Sequence, residues 1–302
     1  MAAGVAAELS PGTSVWNGQV LSQNIGDGGA DEWGRISLSK KRVIEPLERL
    51  FADGPAALDD TQFAATCWSA VATIGHEFEH LYGPEDSTLG TWRMDLMRNE
   101  VDAIEEAFTE ASAQHRTPRL IDYALPSSLA RRLHEVRTEH PELCPPAYRG
   151  YVDAANAFVA EVNQRMGVPV GAVFDAAARQ FPSGKGPALA ALVASGPRIA
   201  RLAPSEQAAV KNQISAIVVE GFAGMEDLWD TPGPEASSRG VQMATEVIRA
   251  AEVRSGDDPR SAMQMLTGLA PAADAPLAPR PNAAEAYRAS ASDPRGHEGR
   301  GA

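Results

Sequence analysis

The stretch DDTQFAATCWSAVATIGHEFEHLYGP, residues 59–84, carries the pattern on which the reading of the whole chain turns. Phe63, Cys67, Val71, Ile74, Phe78 and Leu81 recur at spacings of three and four, the period of a helix with one apolar face. Asp59 or Asp60 can cap its start by accepting a hydrogen bond from a free backbone N–H, and Gly83-Pro84 closes its end. His76 and His80 stand four residues apart and so project from one face of this helix, whose apolar stripe is complete without them. Two imidazoles at that spacing can reach one metal ion. Glu77, one position after the first, can take a proton from metal-activated water without binding the metal itself.

Upstream, Val15-Trp16 and Val20-Leu21 flank Asn17-Gly18, and the segment Trp33 to Ser39 alternates apolar with polar after the turn-rich Gly26-Asp27-Gly28-Gly29. This predicts a short β hairpin or small sheet, with Lys40 and Lys41 on a solvated edge. From Val43 the period becomes helical, with Val43, Ile44, Leu47, Leu50 and Phe51 on one face until Gly54-Pro55. Downstream of residue 84 a helix is expected over 90–114, then others over 126–140, 146–166, 168–181, 187–194, 204–228 and 237–266, separated by Gly or Pro. The fold class is therefore α+β and mostly α: a small N-terminal sheet with the metal-bearing helices, followed by a helical bundle. Four regions follow: a disordered N-terminus over 1–14, a core over 15–125 that holds the site, a helical domain over 126–268, and a disordered tail over 269–302. The tail is Ala, Pro, Arg and Ser with almost no large apolar residue, too little to offset the entropy of ordering it.

Composition narrows the function. The 302 residues include 40 acidic and 27 basic side chains, a net charge of -13, which repels phosphate backbones and anionic lipid alike. Neither nucleic acid nor membrane is an expected partner. Two cysteines, Cys67 and Cys144, permit no disulfide framework. The first residues have neither a basic start nor an apolar run of signal-peptide length, which points to the cytoplasm, with signal-independent export as the other route.

A third ligand is needed. On a helix containing Glu100, the residues Leu96, Met97, Val101, Ala103, Ile104, Ala107, Phe108 and Ala111 share its side, whereas Asp95, Arg98, Asp102, Glu105 and Glu106 fall on the far side. A carboxylate within an apolar stripe requires a cation, and a metal ion held by His76 and His80 would supply one. The other way to satisfy it is an ion pair with Arg93 or Arg98.

Residues 73–81, with Asn99-Glu100-Val101-Asp102-Ala103 twenty residues after His80, resemble the zincin metallopeptidases, in particular their gluzincin branch. The resemblance covers about residues 70–108 and makes the core over 15–125 zincin-like. It implies Zn2+ held by His76, His80 and Glu100, with Glu77 as general base in peptide-bond hydrolysis of a protein or peptide substrate. That branch often places an acidic residue four positions after the Glu ligand; here that position is Ile104. A metzincin-like spacing, Gly83 and Asp86 after His80, would make Asp86 the third ligand instead, although no Met-turn follows. Tyr82, His115, Tyr123, His134, His140, Tyr148 and Tyr151 are candidates for stabilising the transition state. The alternative class is a non-catalytic, zinc-stabilised binding or regulatory protein.

Overall fold

Short strands and Gly-rich turns at the N-terminus give a small sheet, as the alternation implies. The computed structural model describes residues 13–24, 26–96, 102–196 and 199–253. Strands β2 (Val20–Gln23), β3 (Gly28–Ala30) and β4 (Ile36–Ser39) lie in the order β2-β4-β3, with β2 parallel and β3 antiparallel to β4. The central strand β4 is buried at every residue. β1 (Thr13–Ser14) belongs to the segment expected to be disordered, yet it pairs antiparallel with β5 (Tyr82–Gly83), directly after the motif helix.

Two local expectations are corrected. Asn17-Gly18 does not close a hairpin: the Asn17 amide donates to the Gly34 carbonyl and its side chain accepts from the Gln19 amide, so the turn is tied to the chain leading into β4. Gly28-Gly29, expected as a turn, forms the edge strand β3. Lys40 and Lys41 are exposed, but they begin a helical turn over Lys40–Ile44, where Ser39 Oγ accepts from the Arg42 amide.

Helix α1 (Glu45–Asp53) ends at Gly54, whose φ of 69° lies in the left-handed region that a residue without Cβ enters freely. Helix α2 (Thr61–His80) starts at Asp60, whose carboxylate accepts from the Phe63 amide at 3.1 Å. Within the helix expected over 90–114 the described residues form α3 (Leu89–Leu96) and the start of α4 (Asp102–Ala124), and residues 97–101 lie outside them. α4 continues through Pro118 because its last turns still bury Leu120 and Ile121. Then come α5 (Ser127–Glu139), α6 (Arg149–Met166), α7 (Val170–Ala178), α8 (Pro182–Val193), α9 (Pro204–Ala223) and α10 (Pro234–Val253). α8 begins one turn before the expected start, with Pro182 in its first turn, where the missing N–H costs nothing.

These elements belong to one compact unit, Met1–Ser255; the second unit, Gly256–Ala302, lies outside the described residues and so does the tail over 269–302. Two apolar cores meet along α4. One gathers Ile36, Leu38, Leu50, Phe63, Trp68 and Phe78 with Leu120 and Ile121 of α4, and α5 adds Leu129, Leu133 and Val136 to it. The other packs Ile104, Ala107, Phe108 and Ala111 of α4 against α6 to α10. Between the cores, where α4 runs along α2, the buried side chains are polar: Glu105, Thr109, Glu110, Ser112 and Arg116. Among the described residues no helix is long and apolar enough to cross a membrane.

Candidate metal centre

The last turn of α2 faces the first turns of α4 across this polar seam. His76 and His80 meet nearly edge to face, with Nε2 atoms 2.9 Å apart. Glu106 Oε2 lies 3.4 Å from His76 Nε2 and 3.7 Å from His80 Nε2. The three ligand atoms lie within 4.8 Å of one another.

The other ring nitrogens have their own carboxylates. His80 Nδ1 is hydrogen-bonded to Glu105 Oε1 at 2.7 Å, and His76 Nδ1 lies 2.8 Å from Glu110 Oε2. Glu105 Oε1 also accepts from Thr109 Oγ1, and Glu110 Oε1 accepts from Gln114 Nε2 and the Ala147 amide. A carboxylate opposite Nδ1 holds the proton there and leaves the Nε2 lone pair free. With both rings neutral and protonated at Nδ1, the two Nε2 lone pairs would face the same point as Glu106 Oε2. Glu106 Oε2 is buried and, like His76 Nδ1 and Glu105 Oε2, makes no hydrogen bond of normal geometry, although each lies at ion-pair distance from a partner. A buried carboxylate needs positive charge beside it, which the two imidazoles can supply as imidazolium or a shared cation can supply with the rings neutral. Two imidazoles and one carboxylate are also a donor set that suits zinc, so these residues fit the ion that the motif implies.

The charges act in the same sense. Burial disfavours the imidazolium at His76 and His80, but the adjacent carboxylates, Glu106 foremost, outweigh it and raise both pKa values. What those carboxylates offer a proton they offer a metal ion. Burial alone would raise Glu106, yet His80 and His76 hold it below the usual carboxylate range.

Glu77 is buried under β3, and burial lifts its carboxyl above the ordinary value despite His76 and His80 nearby. A Cβ on Gly28 would come within 2.5 Å of Glu77 Oε1, so glycine is what allows the edge strand to pass directly over this carboxylate. Glu79, the motif's other acid, points elsewhere and pairs with Arg116 at 3.2 Å.

Glu100 lies outside the described residues, as does Arg98; Arg93 donates to the Glu32 carbonyl. Among the described residues the third corner is Glu106. Asp86 is exposed in a left-handed turn and does not join the group. The far-side placement of Glu105 and Glu106 is therefore corrected. α4 is covered on two sides, and a single apolar stripe marks only the side facing the bundle. A signal was present nonetheless: Glu110 stands four positions after Glu106, and Glu105, Glu106 and Glu110 interrupt a run of small residues, Ala107, Thr109, Ala111, Ser112 and Ala113.

Of the aromatic and histidine candidates, Tyr148 lies against the centre, its ring stacked on His76 at 6.0 Å. Its left-handed backbone, φ 47°, follows the Ala147 amide that bonds Glu110. Tyr151 stacks on Tyr148, and burial together with Glu226 and Glu106 pushes its phenol up to about 12. Tyr82 is buried beside β1, His115 packs on Phe174, His134 bonds Asp122, His140 lies near Glu142, and Tyr123 is exposed. Comparison of the chain with family models, with curated proteins and with solved structures finds no match.

Proposed function

We propose that the protein is a zinc-dependent metallopeptidase that hydrolyses peptide bonds, with His76, His80 and Glu106 as ligands and Glu77 as general base. The observation that carries this reading is the convergence of His76 Nε2, His80 Nε2 and Glu106 Oε2 within 4.8 Å of one another, while Glu105 and Glu110 lie against the opposite ring nitrogens. Three protein ligands leave a position open for water and substrate, whereas structural zinc sites close with a fourth. The resemblance to the gluzincin branch supports the same reading in a shifted register. Glu106 stands for the Glu of the second motif, and Glu110, four positions later, supplies the acidic support that Ile104 cannot.

Zinc held by His76, His80 and Glu106 would lower the pKa of a water molecule and polarise a carbonyl oxygen. Glu77 Oε would accept a proton from the attacking water and give it to the departing amine. β3 overhead and the Tyr148 ring beside His76 keep bulk water from the carboxylate and the imidazole.

Zinc analysis and a peptide-library cleavage assay on wild type, Glu77→Gln, His76→Ala and Glu106→Ala test the reading. Wild type and Glu77→Gln should each hold about one zinc per chain, and the two ligand variants should lose it. Cleavage by Glu77→Gln should fall at least ~100-fold, the scale of a lost general base. Equal zinc in all four removes the site. Retention in Glu106→Ala with loss in Glu100→Ala or Asp86→Ala would move the third ligand there. Bound zinc without cleavage favours the non-catalytic alternative.

A further inference from the structure

Lys185 has no exposed surface, although a lysine stem is long enough to bring its ammonium to water from most positions. Complete burial of the charge therefore demands specific partners. Nζ donates to the Ala177 carbonyl at the end of α7 at 3.3 Å and lies 3.2 Å from Glu105 Oε2. The backbone that carries it is closely held. A Cβ on the adjacent Gly186 would come within 2.8 Å of Val219, so α8 sits tightly on α9 at this point.

Each oxygen of Glu105 thus has its own partner: Oε1 is hydrogen-bonded to His80 Nδ1 and Thr109, and Oε2, which makes no hydrogen bond of normal geometry, is in ion-pair contact with Lys185. Charge attraction at one oxygen and hydrogen bonds at the other favour one orientation of the carboxylate. We infer that Lys185 is a positioning residue of the metal centre: by holding Glu105 Oε2 it aims Oε1 at His80 Nδ1, and so fixes the ring orientation and tautomer that turn Nε2 towards the ion. This rests on the metal reading above. The two imidazoles differ in this respect, because Glu110 behind His76 is held by neutral donors, Gln114 and the Ala147 amide. The charge behind His80 comes from α8, which makes the helical bundle part of the centre.

A competing account predicts the opposite sign. A buried ammonium near a divalent cation repels it, so if Lys185 acted only through its charge, removing it would tighten metal binding. If it acts by aiming Glu105, removing it weakens binding.

The test uses the full chain as wild type and Lys185→Met, which keeps the length and the apolar stem. Zinc affinity is measured by competition with a chromophoric chelator, and the visible spectrum is recorded after loading with Co2+. Lys185→Met should bind zinc about 10- to 100-fold more weakly, the scale of outer-shell changes, with a shifted cobalt band. Unchanged or tighter zinc binding with an unaltered cobalt spectrum overturns the inference, even if the melting temperature falls. Should Lys185→Met fail to fold, the double variant Glu105→Gln/Lys185→Met leaves no unpaired buried charge and should still bind about 10-fold more weakly or worse; wild-type affinity in it overturns the inference. Absence of zinc and cobalt binding by wild type would overturn the metal reading itself and this inference with it.

Discussion

Two buried polar groups flank the last turn of α2, and they differ in what balances them. On one side Glu79 meets Arg116, whose second amino group reaches Asp175. On the other, Glu77, Glu105, Glu106 and Glu110 gather with Asp102 at the rim, and among the described residues Lys185 is the one Lys or Arg in ion-pair contact with them. Asp102 registers the surplus: burial, Glu106 and Glu105 together push its carboxyl up to about 6. The first group is sealed by a cation the chain supplies. The second has one lysine for its carboxylates and leaves the rest to His76 and His80, whose pKa values are raised, and to Glu77 and Asp102, whose carboxyls are pushed up; His76 Nε2, His80 Nε2 and Glu106 Oε2 lie within 4.8 Å of one another. An excess of buried carboxylates is met by raised pKa values, as at Glu77 and Asp102, or by an added cation, which is the response the proposed function invokes.

This contrast can be broken by experiment. Arg116→Met strands Glu79, buried and without a cation, and should cost about 3 kcal/mol, the low end for a broken buried pair because Asp175 is half exposed. Denaturant midpoints measure the loss, while zinc affinity should stay as in wild type. A parallel loss of zinc would show that the two groups are one network. Next in size is the effect of the metal on folding. Zinc at about 100 times its Kd should stabilise the protein by about 2.7 kcal/mol over the chelated form. Thermal melts with and without chelator check this, and coincident curves would mean that the acidic group needs no cation. Smallest is Gly28→Ala, whose added Cβ must push Glu77 aside. Peptide cleavage should drop about 10-fold, since misplacing a catalytic group by an ångström costs one to two orders of magnitude. Zinc content should not change, and a loss of zinc would instead place Glu77 among the groups that hold the ion.

Half of the centre was legible in the chain and half was not. The helix over 61–80, the cap at Asp60 and the shared face of His76 and His80 rest on periodicity and capping, which act between residues at most four apart. So does the break at Gly54. The third corner does not. A helical wheel assumes that one side of a helix is buried, but α4 packs Ile104, Ala107 and Phe108 into the bundle while turning Glu105, Glu106 and Glu110 towards α2. Its acidic side therefore reads as a solvated one until the neighbouring helix is in place. The same holds for Gly28, which looks like a turn residue and is the strand over Glu77, and for Lys185, which looks like a surface charge and has no surface.

The sequence by itself determined that two imidazoles and a carboxylate share one helical turn, because backbone hydrogen bonding sets that geometry locally. The tertiary structure alone decided which acids face those imidazoles and which cation stands behind them. Burial and charge pairing between distant elements are properties of packing, and no short-range spacing encodes them.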